Sequence, residues 1–384
     1  MAIGLIPIIL SYSTFHFSPI FQVIIYGTGI ICGAFLISWA CEAAQIDVSG
    51  SFAIAILALI AILLEYVIES NLAWDAGLSY TGGGNITKQM NNVAANVTGA
   101  NRLLIGLGWS SVILIYWVKT KKRLTTNNSL KLEITMLSIA TIASVFIFIM
   151  KEIHVFVAVF LVTIFLVYLY LTSTQDKNND PHLMGPSLYI GSRKKQVRRS
   201  IVIILFIYSA FLILRAAEPF LHSLIESGAT IGISEFILIQ WIAPLASESP
   251  EIIIALLFTL RGNCIGGITT LIASEVNQLT LLVGSTVGIF SLAYGSITNF
   301  PLNNVQSVEF ILTAALSILA LILISRKSIG WKSGLLLLIP FIIHLPITDP
   351  SNRILFVYFY LLMAGVILIY YLYRQKTSEE KQTA

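Results

Sequence analysis

Charged residues are scarce in this chain: only 11% of its 384 positions are Asp, Glu, Lys or Arg, while 57% are hydrophobic. A soluble protein of this length needs far more polar surface to cover its core. The apolar residues also occur in long runs, many of which reach the roughly 20 residues that a helix needs to cross a bilayer. The sequence therefore predicts an all-α membrane protein.

Cysteines and nucleotide-binding signatures are also scarce or missing. The three cysteines, Cys32, Cys41 and Cys264, lie far apart without a C-x-x-C spacing, which argues against a disulfide scaffold, a zinc site or an iron–sulfur cluster. No G-x-x-x-x-G-K-[ST] loop is present, which argues against ATP-driven pumping by this chain alone. The H-E-x-x-H motif of metalloproteases is also missing. We expect no resident cofactor and no nucleic-acid partner.

The apolar runs predict eleven membrane spans. They lie near residues 20–43, 50–73, 95–118, 132–150, 153–172, 200–222, 231–258, 268–297, 306–325, 331–347 and 353–373. Because the tenth span is short and contains Pro340, we expect about ten to eleven transmembrane helices. The predicted organisation is a first membrane repeat at 20–172, a loop at 173–199, a second membrane repeat at 200–347 and an additional C-terminal span at 353–373.

The basic residues are distributed unevenly between the two predicted sides. With eleven spans, 18 of the 23 Lys and Arg residues fall on one side, mainly in clusters at 119–131 and 177–199. Cytoplasmic loops carry such an excess, so we expect a plasma-membrane protein with its N-terminus outside and its central loop and C-terminus in the cytoplasm. A cleaved signal peptide begins with a positively charged segment, but the first 19 residues here contain neither Lys nor Arg. We therefore expect the N-terminus to be retained.

The two halves of the chain show internal similarity. Residues 103–106 read Leu-Leu-Ile-Gly and residues 281–284 read Leu-Leu-Val-Gly, at matching depth in the third and eighth spans. Glu65 and Glu251 likewise lie in the second and seventh spans. Since spans one to five begin outside and spans six to ten begin inside, the related halves are predicted to be inverted-topology repeats of five helices, the usual construction of secondary transporters.

Glutamates lie within the predicted spans, where a charged side chain is costly and indicates function. Glu65 and Glu69 share one face of the second span, and Glu248 and Glu251 share one face of the seventh. Carboxylates from two different helices at similar depth are the acidic part of a midplane cation site.

Pro244 and Pro250 flank Glu248 in the seventh span. Each proline removes a backbone donor and frees an upstream carbonyl, and broken helix is tolerated in a membrane where it lines a cavity. Such carbonyls, together with hydroxyl and carboxylate oxygens, are hard ligands that suit Ca²⁺ or Na⁺. We therefore predict an ion-binding site in which Glu65 and Glu251 bind the metal cation. The other predicted ion-binding residues are Glu248, Ser249, Asn96, Asn101, Ser274, Asn277 and Gln278.

These residues resemble the calcium/cation antiporter superfamily, of the sodium/calcium-exchanger type. Residues 249–251, Ser-Pro-Glu, are similar to the Pro-Glu of the second repeat of that family, and residues 96–101, Asn-Val-Thr-Gly-Ala-Asn, to its Asn-rich motif. The resemblance covers roughly 30–118 and 215–297. Leu64 stands where the first repeat usually has proline, so the chain resembles a divergent branch. The resemblance implies roughly ten core helices, two glutamates that bind the ion, and alternating access.

We therefore expect a secondary-active antiporter, and not an enzyme, that exchanges Ca²⁺ or another small cation for Na⁺ or H⁺. Burial favours the protonated carboxyl group and a bound cation favours the carboxylate, so protons and cations compete for one site. A Na⁺/H⁺ exchanger of the same fold is the alternative, and an intramembrane enzyme is a less favoured one. The expected partners are small cations and the lipid bilayer; the oligomeric state is left open.

Three further charged residues receive expectations of their own. Arg102 is expected to be a structural counter-charge for a carboxylate, with Glu65 as a candidate partner. Glu69 is expected near the outer interface, in contact with solvent. Glu275 is left open between a structural role and a role in the site.

Overall fold

The computed structural model describes residues 17–126, 130–175, 183, 185–230, 232, 245, 248–326, 328–347 and 349–383. These residues form fifteen α-helices, two π-helical segments and four two-residue strands. The helices are α1 (Pro19–Ala44), α2 (Gly50–Ala61), α3 (Leu63–Ser79), α4 (Lys88–Leu103), α5 (Ser110–Thr120), α6 (Lys131–Met150), α7 (Val155–Thr174), α8 (Pro186–Gly191), α9 (Lys195–Thr230), α10 (Ser249–Leu260), α11 (Cys264–Asn277), α12 (Val283–Tyr294), α13 (Asn304–Ile324), α14 (Trp331–His344) and α15 (Pro350–Thr383).

Within the described residues, eight helical stretches are long and apolar enough to cross a membrane. Two of them continue through a π-helical segment: π1 (Leu104–Trp109) joins α4 to α5, and π2 (Gln278–Leu282) joins α11 to α12. Three shorter apolar helices, α2, α10 and α14, have 12 to 14 residues. The all-α membrane class is therefore confirmed, while the number of crossings stays a prediction. Pro244 lies outside the described residues.

Two antiparallel strand pairs connect loops at opposite ends of α6. Strand β1 (Leu124–Thr125) pairs with β4 (Ser328–Ile329), and β2 (Glu152–Ile153) pairs with β3 (Phe300–Pro301). Helix α6 runs from the first pair to the second and has 20 residues, which corresponds to a length of about 30 Å, the thickness of a bilayer core. Each strand pair therefore joins a loop of the first half to a loop of the second half at one end of the bundle.

The end that carries β1 and β4 also collects the basic loops. The Thr126 hydroxyl donates to the Arg326 carbonyl (2.6 Å), and the Lys119 ammonium donates to the carbonyl of Leu260. Loops that the charge distribution assigned to one side thus lie at one end of the protein. Which side of the membrane this end faces stays a prediction.

Arg261, in the turn between α10 and α11, binds α1 at the same end of the bundle. Its guanidinium is 2.8 Å from the Glu42 carboxylate and 3.0 Å from the Ser38 hydroxyl. Ser187, in α8, donates to the other carboxylate oxygen of Glu42 at 2.5 Å. Three separate segments of the chain are therefore held together around one buried carboxylate.

A buried charge network connects α4, α13 and α15. Arg102 contacts the Glu309 carboxylate at 2.5 Å and the Thr313 hydroxyl at 3.1 Å, and Arg353 contacts the same carboxylate. The expectation that Arg102 is a counter-charge is confirmed, but Glu65 is the wrong partner. The face of α4 that carries Arg102 packs against α13, so the guanidinium meets Glu309 first.

Replacing Glu309 with Gln is expected to destabilise the protein. The variant leaves Arg102 and Arg353 buried without a carboxylate, and breaking a buried ion pair by removing one partner costs about 3–5 kcal/mol. Thermal unfolding in detergent should therefore begin at a clearly lower temperature. Glu226→Gln, which removes a half-exposed carboxylate from α9, is the control and should change the midpoint little. Equal midpoints for the two variants would contradict a structural role for the network.

Candidate cation site

Both predicted ligand glutamates lie just inside the start of a helix. The backbone angles φ and ψ are −83° and 1° at Ile62, before α3, and −85° and −4° at Glu248, before α10. These angles lie in the sparsely populated region between helix and turn. Glu65 and Glu251 are then each the third residue of the helix that begins. A carboxylate in the first turn of a helix is stabilised by the partial positive charge of the free backbone N–H groups.

The two helix starts differ in sequence. Pro250 is the second residue of α10, a position where proline is well tolerated because its missing N–H has no partner to lose. Leu64 occupies the corresponding position of α3, and the helix nevertheless breaks at Ile62. The missing proline in the first half therefore does not remove the break.

Gln278 lies between two of the buried carboxyl groups. Its Nε2 atom donates to Glu65 Oε2 at 2.7 Å and to Glu248 Oε1 and Oε2 at 3.0 Å and 3.1 Å. It is also the first residue of π2, and π-helical turns inside α-helices often occur at functional sites. The amide group therefore links the second predicted span to the seventh.

The carboxyl groups of Glu65 and Glu248 lie close together, because both accept from the same Gln278 amide nitrogen. Two ionised carboxylates have only acceptor atoms, so a hydrogen bond between them requires a proton on one of them. In the arrangement of Glu65, Glu248 and Gln278, a proton on one carboxyl group would relieve the repulsion between two neighbouring carboxylates.

Several oxygen atoms near these residues lack a donor. Glu251 Oε1 and Oε2, Asn101 Oδ1, Ser274 Oγ and Gln278 Oε1 are buried and have no hydrogen-bond partner in other described residues. Buried polar atoms are usually paired, and each exception calls for an explanation. Carboxylate, amide and hydroxyl oxygens are the ligands of hard cations, so these atoms suit a cation.

Glu69 is buried, contrary to the expectation that solvent surrounds it. Only 1% of the residue is exposed, and its carboxylate accepts from Asn96 Nδ2 at 3.0 Å and from the Thr286 hydroxyl at 3.2 Å. The expectation failed because α12 and α4 cover this turn of α3. Asn96 therefore contacts Glu69, one turn away from Glu65.

Two aromatic residues that the sequence did not single out also contact the predicted site. The Tyr66 hydroxyl donates to Asn277 Oδ1 at 2.6 Å, which connects α3 to α11. Trp109, in π1, lies against the Glu275 carboxylate. The only signal in the sequence that could have indicated Tyr66 is its position next to Glu65.

The remaining predicted residue, Ser249, lies in a different environment. It is half-buried and lines a groove of about 350 Å³ against α1. Glu248 and Glu251, on either side of it in the chain, are completely buried. The structure thus brings Glu65, Glu248 and Gln278 into direct contact, with Asn277 one contact away through Tyr66.

The site as a whole is strongly acidic. Five carboxyl groups, those of Glu65, Glu69, Glu248, Glu251 and Glu275, belong to residues that are at most 2% exposed. Among the ion pairs of the described residues, none involves any of these five. Within that part of the chain, no three of these carboxyl groups are arranged so that they could hold a metal ion together. Their charge must be neutralised by protons or by cations, since an isolated ionised carboxylate in an apolar interior is very costly.

Comparison with known protein families gives a match over most of the chain. The family model described as "Sodium/calcium exchanger protein" matches residues 18–174 and 201–348. No curated protein sequence matches.

Solved structures give matches of two kinds. The structure of the H⁺/Ca²⁺ exchanger CAX is similar over 100% of this chain and 95% of its own, with 35% sequence identity and a TM-score of 0.81. Structures of the sodium-calcium exchanger NCX_Mj, soaked with Na⁺ and Ca²⁺ or with Na⁺ and Sr²⁺, are 18% and 17% identical, with TM-scores of 0.61 and 0.63. They cover 86% of this chain and 97% and 100% of their own, and at this identity they share the fold alone.

The matched family and the similar structures are exchangers, which overturns the intramembrane enzyme considered as an alternative. The long apolar helices agree with an integral membrane protein. The chain belongs to the sodium/calcium exchanger family: it is a membrane cation antiporter and not an enzyme.

Proposed function

We propose that this chain exchanges Ca²⁺ for H⁺ across the membrane, with Glu65 and Glu251 as the residues that bind the cation. The observation that carries the proposal is the buried group of carboxyls that lacks a basic partner among the described residues and in which Glu65 and Glu248 accept from one amide nitrogen. Na⁺ as the counter-ion of Ca²⁺, and Na⁺/H⁺ exchange, are the alternatives.

Charge balance explains how protons and Ca²⁺ would replace each other. Two carboxyl groups that each carry a proton are neutral, and so are two carboxylates that hold one Ca²⁺. Because an uncompensated charge in the bilayer is costly, the site would favour either loaded form over the form that carries neither. Mutually exclusive loading of one site by two ions is the basis of exchange.

Gln278 would change its contacts between the two forms. In the structure its amide N–H₂ group faces Glu65 and Glu248, while its Oε1 atom has no partner in other described residues. Rotation of the amide by half a turn would present Oε1 to a cation that takes the place of the proton. Asn101, Ser274 and Asn277 would supply further oxygens, and Ser249 would act at the α1 side of the site.

Protons are favoured as the counter-ion by two observations. Two neighbouring buried carboxyl groups that accept from one amide nitrogen would share a proton, and the similar structure with 35% identity is that of a H⁺/Ca²⁺ exchanger. The sodium-calcium exchanger structures resemble this chain at only 17–18% identity.

The transport cycle would use two inverted repeats of five helices, at 20–172 and 200–347. The matching positions of Glu65 and Glu251, each the third residue of its helix, support this arrangement, as do the family-model segments at 18–174 and 201–348. The strand pairs support it too. If β1 corresponds to β3 and β2 to β4, exchanging the two halves converts the pair β1–β4 into the pair β3–β2. Alternating access of the site to the two sides would follow from rocking one part of the bundle against the other.

The basic end of the bundle would face the cytoplasm. Under this orientation the N-terminus lies outside, the loop at 173–199 and the C-terminus lie inside, and the span at 353–373 is added to the ten core helices. The excess of Lys and Arg in the loops at that end supports the assignment. We infer the plasma membrane as the location.

Glu251→Gln is expected to abolish exchange. In proteoliposomes with an acidic interior, wild-type protein should take up external Ca²⁺ as protons leave. The variant should lower the initial rate by about 30-fold or more, because losing one partner of a buried charge interaction costs at least about 2 kcal/mol. Glu226→Gln, on the half-exposed part of α9, is the matched control and should retain the rate.

The same vesicles distinguish the alternatives. Ca²⁺ uptake driven by an internal Na⁺ load, with no response to the pH gradient, would replace H⁺ by Na⁺ as the counter-ion. Coupled Na⁺ and H⁺ flux without Ca²⁺ transport would identify a Na⁺/H⁺ exchanger. Undiminished Ca²⁺ uptake by a correctly folded Glu251→Gln protein would refute the proposed role of Glu251.

Gln278→Leu is expected to weaken Ca²⁺ binding during transport while the protein still folds. Loss of the amide removes a hydrogen bond to a charged group, which contributes about 1.5–3 kcal/mol, so the KM for Ca²⁺ should rise by about tenfold or more. Thr280→Val removes a hydroxyl from the same π-helical segment that bonds only the Val276 carbonyl, and it should leave KM nearly unchanged. Equal KM values for both variants would argue against a role for Gln278 in ion binding.

A further inference from the structure

An apolar groove lies between α2 and α9 at the basic end of the bundle. Its volume is about 260 Å³. Hydrophobic side chains from both helices and the preceding turn line it: Val48, Phe52, Ile56, Val202, Ile203 and Phe206. Ile203 is 57% exposed, so the groove is open on the outer surface of the bundle, where lipid chains surround a membrane protein.

Two arginines meet one carboxylate at the mouth of this groove. Arg198 binds Asp47 through two hydrogen bonds, of 2.8 Å and 2.9 Å. These bonds hold the pKa of Asp47, in the turn between α1 and α2, below its usual value, so Asp47 is ionised and already fully paired. Arg199 lies 3.5 Å from the same carboxylate, and its side chain is 51% exposed. The group of three residues therefore carries one net positive charge.

Further positive charge lies beside Arg199. Lys195 is four residues earlier in α9, on the same face of the helix, and is exposed. Lys194 and Arg193, just before the helix, are exposed as well. The apolar groove thus ends at a cluster of basic side chains, and the Asp47 carboxylate alone does not neutralise their charge.

We propose that this groove binds an anionic phospholipid, with one acyl chain against the apolar residues and the phosphate paired with Arg199 and Lys195. A soluble anion would match the cations but not the apolar groove, and a zwitterionic lipid would match the groove but bring its own positive charge. Basic pockets between membrane helices are established binding sites for anionic head groups.

The lipid would connect two parts of the protein that the transport site depends on. Helix α2 leads through the break at Ile62 into α3, which carries Glu65. Helix α9 packs along α1. A lipid between α2 and α9 would therefore add contacts between these two parts, without touching the carboxyl site.

Binding can be measured without any ion gradient, so its outcome does not depend on the proposed exchange. Full-length protein is stripped of lipid in detergent, and phosphatidylglycerol or phosphatidylcholine is added in equal amounts. Native mass spectrometry then counts the lipids retained per protein. Wild-type protein should retain one phosphatidylglycerol molecule preferentially, and Arg199→Gln should lower its affinity by about fivefold, the effect of one basic residue near a membrane surface.

Two further variants control for surface charge and for the groove. Lys122→Gln removes an exposed charge from another loop at the same end and should leave the affinity unchanged. Ile203→Trp keeps every charge but narrows the groove, so it should lower the affinity for phosphatidylglycerol. Inorganic phosphate, added as a competitor of the lipid, should act equally on this variant and on wild type. Equal retention of the two lipids by wild type, or equal losses in Lys122→Gln and Arg199→Gln, would overturn the proposal. Unchanged lipid binding in Ile203→Trp, with displacement by inorganic phosphate, would identify an anion site and overturn it too.

Discussion

The structure is organised around carboxyl groups that are buried without an ion-pair partner among the described residues. Glu65, Glu248 and Glu251 lie in the interior of a bundle of apolar helices, where an isolated negative charge is very costly. The buried Arg102 and Arg353 pair with Glu309, and the half-buried Arg261 and Arg198 pair with Glu42 and Asp47. Because none of the ion pairs of the described residues involves the site's carboxyl groups, we expect ions from solution to balance their charge. That requirement links folding of the site to ion binding.

The starts of α3 and α10 determine how the site can carry this charge. Each start leaves backbone N–H groups free and places a glutamate in the first turn of the helix, where the partial positive charge of these groups offsets part of the cost of an anion. This offset is smaller than a full counter-charge, so the carboxylates stay responsive to protons and cations. A lysine at the same place would have neutralised the site permanently.

Much of this arrangement could be predicted from the sequence. The apolar runs locate the helices, and a glutamate beside Pro250 in such a run indicates a functional break. The proline rule does not explain the break at Ile62, because no proline is near it. Glu309 was not recognised as the partner of Arg102, since the two residues are 207 positions apart and no local pattern connects them. Glu69 was expected in solvent because hydropathy along α3 does not show which helices cover it.

On the proposed mechanism, the contacts of Gln278 would couple two ions instead of leaking one. A single amide nitrogen bonds both Glu65 and Glu248, and a proton on one of these carboxyl groups would be compatible with these bonds. A cation between the carboxylates would displace both the proton and the amide nitrogen, so the two ions would not be held in the same contacts together. The form that holds neither would leave several carboxylates uncompensated in the bilayer, which makes it costly to form. On the proposed mechanism, movement between the two sides is therefore accessible to the loaded forms, and coupling follows from the energetics of buried charge.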